Sequence, residues 1–428
     1  LRITKKINID PITIKKKLLY WAENFREVAY LKSNDYPQQY SSYDLIVAVD
    51  AFTSLKTDYI NAFDDLKQYQ QQTNDWLFGY LAYDLKNDIE SLDSKNHDGL
   101  NFSDLFFFQP KKIFFLKGNE LEIAYLNMCD DEIDSDLEEI LEKRKTKNET
   151  QKSEIIIQQR ISREHYIKKV NQMLTHIHRG DLYEANFCME FYAENGKIIP
   201  SQVFQELNKI SKPPFACFFK NHIHYLLSAS PERYIRKENQ KVISQPIKGT
   251  SKRFEDLILD TNSKTELEQN PKERSENIMI VDLVRNDLAQ TAIKGSVQVE
   301  ELCTIYSFKQ VHQMISTVVS EVKSTTNPVD IIKTTFPMGS MTGAPKISAM
   351  QIIEELEETK RGLYSGAVGY FTPSGNFDFN VVIRSILYNS DNQYLSFSVG
   401  SAITALSDPE QEYEECLLKA KAMREVLS

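Results

Sequence analysis

The sequence predicts an α+β fold built from antiparallel sheets. Strand-like and helix-like stretches mix along the chain without the regular βαβ alternation of a doubly wound parallel sheet. One stretch, Ile113 to Leu126, reads as a hairpin about Lys117-Gly118-Asn119. The 428 residues are 41% hydrophobic and 26% charged, a globular composition with ample material for a large core. No internal repeat and no low-complexity tract interrupts it.

Charge and patterning exclude several functions. A net charge of −10 argues against a nucleic-acid surface, so an anionic ligand needs a local cation or a metal. No apolar run reaches membrane-spanning length: Leu105 to Leu116 is broken by Gln109, Pro110 and two lysines. The lysine-rich start carries no apolar signal core, which predicts no secretion. Five scattered cysteines (Cys129, Cys188, Cys217, Cys303 and Cys416) without CxxC spacing predict reduced thiols in a cytoplasmic protein.

In order, Ile14 to Tyr30 carries helical spacing through Leu18, Trp21, Ala22, Phe25 and Val28. Asp44 to Val49 and the aromatic run Trp76 to Leu85 read as strands. Asp130 to Glu154 is charge-dense, a solvated helix followed by a linker. It divides residues 1–150 from a second region, 151–428. That region opens on a helix capped by Ser162, with Tyr166, Val170, Met173 and Ile177 on one face and Gly180 at its end. Asp181 to Tyr192, Phe215 to Phe219, Ile223 to Ala229 and Lys241 to Ser244 are strand-like.

Two helices carry acids at a chemically useful spacing. Asn270-Pro271 opens one that places Glu273 and Glu276 on one stripe. Asp408-Pro409 opens another that places Glu412, Glu415 and Lys419 on one stripe, beside an apolar face of Tyr413, Cys416, Leu417 and Ala420. Such pairs ordinarily sit on solvated surfaces, and Lys419 four residues after Glu415 fits a simple ion pair. Facing each other, the pairs would make a hard-oxygen site suited to Mg2+.

Ser244 to Thr250 reads as a strand end turning into a loop. Pro246 fixes φ before Lys248 and Gly249 frees it after, so this lysine has a defined position. An isolated Pro-x-Lys-Gly is ordinarily a tight turn with a solvated lysine. Phe336 to Lys346 is a Gly/Ser/Thr loop entering a helix, able to cradle an anion but lacking the P-loop pattern, which excludes ATP by that route. Val381 to Ser385 reads as an apolar strand carrying Arg384, which needs a carboxylate partner or a structural salt bridge. Val399 to Ala402, around Gly400, is small enough for a ligand to approach the backbone.

Taken together these stretches resemble the chorismate-utilising enzymes: anthranilate synthase component I, aminodeoxychorismate synthase component I, and the isochorismate and salicylate synthases. The matching segments are Gly180 to Tyr183, Ser230-Pro231-Glu232, Pro246 to Thr250, Glu276 to Leu288, Gly339 to Lys346, Arg361 to Tyr370, Ile383-Arg384 and Asp408 to Lys419, in family order. The resemblance implies two antiparallel sheets packed together with helices outside, and an N-terminal region of the anthranilate-synthase type. Lysine in PIKGT resembles the aminodeoxychorismate synthases, where anthranilate synthases carry PIAGT. Acidic Glu184, where water-using members carry lysine, argues against water as nucleophile.

The resemblance implies that Lys248 attacks the chorismate ring as the free amine while Glu232 protonates the departing hydroxyl. Ammonia then displaces the lysine to give 4-amino-4-deoxychorismate, on the way to para-aminobenzoate and folate. It implies Mg2+ held by Glu276 and Glu415 directly, with Glu273 and Glu412 through water. Substrate contacts are implied for Gly249, Thr250, Ser340, Thr342, Tyr364, Arg384, Gly400 and Lys419. None of the cysteines sits in a Gly-x-Cys-x-Gly elbow, so a glutamine amidotransferase subunit in trans is the expected ammonia source. The enzymatic alternative is anthranilate synthase component I. A non-catalytic binding protein is the alternative of another class, disfavoured by intact Lys248, Glu232, Glu276 and Glu415. Two positions depart from the family: Gln313 stands for its histidine, with His312 one residue early and facing the other way, and Glu184 stands for its glutamine.

Overall fold

The computed structural model describes residues 1–34, 36, 39–40, 42–142, 155–309 and 311–428. Among them, twenty strands join in one hydrogen-bonded network in which every strand pair is antiparallel. The long strand Leu105–Lys117 organises it. Leu45–Thr57 pairs with it along one edge. On its other edge, the second half pairs with Glu120–Leu126 and the first half with Leu77–Leu81. Two arms diverge from that split.

The first arm runs from Leu45–Thr57 through Glu27–Lys32, Phe215–Asn221, His224–Ser230, Ser385–Asn389 and Tyr394–Thr404 to Glu184–Ala193. The second runs from Leu77–Leu81 through Ala367–Phe371, Phe377–Val381, Arg233–Glu238 and Lys241–Gln245 to Val311–Glu321. These are the two expected sheets, joined at one strand. A core shared by both arms includes Phe78, Phe107, Phe219 and Phe379. A second core lies under the helices Pro11–Ala22, Arg163–Arg179, Pro200–Ser211 and Pro409–Leu427, which cover the first arm.

The N-terminal helix corrects the sequence expectation. Asp10 caps it, accepting from the backbone N–H groups of Ile12 and Thr13, and it ends at Ala22 rather than Tyr30. Glu27–Lys32 is a strand hydrogen-bonded on both edges. Val28, Ala29 and Tyr30 are all buried, and such a short apolar run suits a helix stripe or a buried strand equally; two waiting strand edges decide between them. Trp76 to Leu85 is likewise shorter as a strand, Leu77–Leu81, followed by a turn of 3₁₀ helix.

The expected charge-dense helix is present as Ile133–Leu141, while the linker and the boundary near residue 150 lie outside the described residues. Strands of the first 150 residues enter both arms, through Glu27–Lys32 against Phe215–Asn221 and Leu77–Leu81 against Ala367–Phe371. All five cysteines are free and buried. Among the described residues no helix is long and apolar enough to cross a membrane.

Candidate active site

Ser244 to Thr250 does not end in a loop. Lys241–Gln245 and Ile247–Lys252 both pair with Val311–Glu321, so the line of the strand continues past Pro246. Ile247 faces Ile315 and Thr250 faces Gln313, three residues against two, which leaves one extra residue bulged at Lys248-Gly249. Gly249 has φ +91°, and a Cβ there would come within 3.1 Å of a Glu273 carboxylate oxygen. Glycine therefore provides both the bulge and the close approach of the acidic helix.

The bulged Lys248 side chain is 11% exposed, and its Nζ donates to Glu184 Oε1 at 2.9 Å. Burial by itself would lower the lysine's pKa. The carboxylates of Glu184, Glu276 and Glu232 outweigh it and hold Lys248 as the ammonium. The resting lysine is thus charged, and it must give up a proton before it can act as the free amine. Glu184 Oε2 is buried without a hydrogen-bond partner.

Both acidic helices begin as their sequences predict. Asn270 Oδ1 accepts from the N–H groups of Lys272 and Glu273 at the head of Pro271–Ala289. Asp408 Oδ1 does the same for Glu410 and Gln411 at the head of Pro409–Leu427. Each cap fixes the phase of its helix and aims its glutamates at a common space.

That space is a cavity of about 720 Å³. Lys248, Gly249 and Thr250 form one wall, Glu273 and Glu276 a second, Glu412, Glu415 and Lys419 a third. Glu232, Ser340, Tyr364, Arg384 and Gly400 also line it. Thr342 does not. Its hydroxyl donates to the carbonyls of Met338 and Gly339, and it is fully buried, because the 3₁₀ turn Gly339–Met341 folds the side chain back onto its own backbone.

Glu232 is 5% exposed, and burial pushes its carboxyl up to about 7 against hydrogen bonds from Ser340 and the Ile247 backbone. A carboxyl so placed is substantially protonated near neutrality and fits a general acid. Burial likewise pushes Glu276 up to about 7. Glu415 is opposed by burial, yet Lys419 at 2.5 Å holds its carboxyl below the usual range. Lys419 also donates to the Gly400 carbonyl at 2.8 Å. A Cβ at Gly400 would meet Cys188 Sγ at 2.6 Å and the Phe187 carbonyl oxygen at 3.0 Å, so any side chain here would force its neighbours to shift.

Arg384 is not on a strand. It lies between Phe377–Val381 and Ser385–Asn389 with φ +51°, a conformation that turns its side chain out of the sheet. Its guanidinium has no hydrogen bond or ion pair among the described residues, and burial lowers its pKa. Gln313 lines the cavity with a buried, unpartnered Oε1. His312 faces away, to Ser307 at 2.8 Å and Asp260 at 3.2 Å, as strand alternation requires.

Asn186 and Lys272 are among the lining residues that escaped the sequence reading. Asn186 had no signal beyond its place on a strand. Lys272 lies four residues before Glu276 and within 3.5 Å of Glu412 and 3.9 Å of Glu276. Its i, i+4 spacing was a readable signal, alongside the Lys419 pair that was recognised.

The donor set suits magnesium: four carboxylates on two helices supply hard oxygen, and Glu276 Oε1 is buried without a hydrogen-bond partner. Among the described residues, no three acidic, histidine or cysteine side chains already stand in coordinating geometry. Lysine ammonium groups lie among the carboxylates instead.

A two-armed antiparallel sheet with an acid-lined cavity between lysine-bearing and arginine-bearing walls defines a class. The chain belongs to the chorismate binding enzyme family, whose model matches residues 26–425. It is 35% identical over 350 residues to an anthranilate synthase component I-like protein from Synechocystis, covering 81% of this chain and 71% of that protein. It is 38% identical over 258 residues to aminodeoxychorismate synthase component 1 from Escherichia coli, covering 60% of this chain but only 56% of that protein. Anthranilate synthase component I from Streptococcus pneumoniae shares the fold, with a TM-score of 0.79 at 24% identity over 91% of this chain and 93% of that one.

Proposed function

We propose that the chain is the chorismate-aminating component of an aminodeoxychorismate synthase. The observation that carries this reading is Lys248, buried on a bulge at the cavity wall with Glu184 on its Nζ and Glu232 lining the same space. The E. coli relative named for this activity supports it.

Chorismate is a dicarboxylate, and the cavity offers it two cationic anchors. Arg384, without an ion pair of its own, and Tyr364 receive the enolpyruvyl carboxylate. Glu276 and Glu415, with Glu273 and Glu412 behind them, would hold a magnesium ion that neutralises the ring carboxylate and polarises the ring. Lys248 passes its proton to Glu184 and attacks the ring through neutral Nζ in a displacement that expels the hydroxyl. Glu232 delivers a proton to the hydroxyl oxygen, which leaves as water. Ammonia then forms the new C–N bond at the carbon that bore the hydroxyl as the bond to Lys248 Nζ breaks; the new ammonium group returns a proton to Glu232, and Lys248 recovers its own from Glu184. The enolpyruvyl group is untouched, so pyruvate stays on the product. The ammonia is supplied by a separate glutamine amidotransferase subunit.

The test supplies purified chain with chorismate, an ammonium salt and Mg2+, and identifies the product by mass. Aminodeoxychorismate, with its enolpyruvyl group retained, is expected. Anthranilate fluorescence without an added lyase would replace this reading with anthranilate synthase component I. Glutamine-dependent turnover by the chain alone would remove the partner subunit.

A further inference from the structure

Lys272 occupies a position that a helix disfavours. It is the second residue of Pro271–Ala289, where the unpaired backbone N–H groups and the helix dipole already present positive charge. Something must offset that, and the surroundings supply it. Its Nζ is 3.5 Å from Glu412 on the other acidic helix and 3.9 Å from Glu276 on its own. The carboxylates of Glu412, Glu276, Glu415 and Glu273 all act on its charge. Among the described residues it is the direct ionic link between the two helices.

The two partners are deeply placed, with Glu412 3% and Glu276 10% exposed at the side chain, whereas the Lys272 side chain is 44% exposed. The lysine can therefore withdraw into water by rotating its own chain while the carboxylates stay where they are. Its contact with Glu276 is too long for a hydrogen bond, and Glu276 Oε1 is left without one. Lys419 is not equivalent: it is held at 2.5 Å by Glu415 and at 2.8 Å by the Gly400 carbonyl.

We propose that Lys272 is the resident counter-ion of the four-glutamate cluster, and that a divalent cation enters by displacing its ammonium group into solvent. This rests on the reading of those glutamates as the magnesium site. Without such a cation the lysine keeps the two acidic helices from repelling each other. With the cation bound, the lysine becomes a free surface side chain at the cavity mouth. The exchange sets the affinity: the ion must outcompete a tethered positive charge as well as its own hydration.

The test uses the full chain without chorismate. Mg2+ is titrated calorimetrically into wild type and Lys272→Met, and melting temperatures are measured with and without the ion. Lys272→Met is expected to bind Mg2+ about tenfold more tightly. Its metal-free form melts lower than wild type, and Mg2+ raises its melting temperature further than it raises that of wild type. Should the variant fold poorly, wild type alone suffices. Acetylation followed by mass spectrometry should show Lys272 reacting faster as Mg2+ saturates, with exposed Lys264 unchanged as control. Equal or weaker Mg2+ binding by a folded Lys272→Met overturns the proposal, as does a Lys272 acetylation rate that stays level or falls. Mg2+ binding that leaves Lys272 unmoved sinks this proposal alone; no Mg2+ binding to either protein removes the magnesium site with it.

Discussion

Replacing Glu184 with glutamine probes the pair on which the proposed chemistry turns. The carboxylate is 2% and the lysine side chain 11% exposed, and they meet at 2.9 Å. An opposite charge this close shifts an ionisation by about one to three pH units. Glu184→Gln keeps the shape and a hydrogen-bond acceptor but removes the charge. The neutral fraction of Lys248 below its titration range should then rise by about 10- to 1000-fold. The assay is the rate at which an amine-directed reagent modifies Lys248 between pH 7 and 10, read by peptide mass. In wild type the raised lysine pKa stabilises the fold below the ordinary lysine range, and that contribution is lost as pH rises through the folded-state value. Glu184→Gln should lose part of it, on the order of 3 kcal/mol at neutral pH by denaturant titration. A Lys248 modification rate equal to wild type across this range would refute the account of Glu184 as its proton partner.

Lys248→Ala should lower turnover by about a thousandfold or more while circular dichroism stays native; an unchanged rate removes the lysine as nucleophile. Glu232→Gln should lower kcat by about 10²- to 10⁴-fold and abolish the pH-rate limb near 7. Because the folded state raises the Glu232 pKa from 4.5 to about 7, it binds that proton more tightly than the unfolded chain does. Wild-type stability therefore falls, by on the order of 3 kcal/mol, as pH rises across this window, and Glu232→Gln should lack that fall in a pH series of urea melts. Arg384→Gln should raise KM for chorismate about 10- to 100-fold without loss of stability, since the arginine has no ion pair to break; an unaltered KM ends its role as carboxylate anchor. Gly249→Ala should cost about 1–2 kcal/mol of folding free energy through its φ of +91°, and urea unfolding measures it.

The extent to which the site was legible varies with the distance over which its causes act. Asn270 and Asp408, each followed by proline, announced both acidic helices to the residue, because a cap is made between groups two and three positions apart. Lys248 was legible as a fixed lysine, but its environment was not. The bulge depends on the register against Val311–Glu321, and the charge on its Nζ depends on Glu184, a partner 64 positions away. Arg384 was read as a strand residue because its neighbours are apolar, whereas the chain is passing between strands there.

From the sequence alone came the chemical inventory and its local presentation: a lysine between proline and glycine, acids spaced on capped helices, and family order over residues 160 to 428. Caps, turns and periodicity are set by stereochemistry within one or two turns of backbone. Only the tertiary structure decided that Glu27–Lys32 is a strand, that Thr342 turns away, and that Lys272 stands between Glu276 and Glu412. Those outcomes depend on which distant edges and charges arrive alongside, and burial over the whole core, not local preference, selects among them.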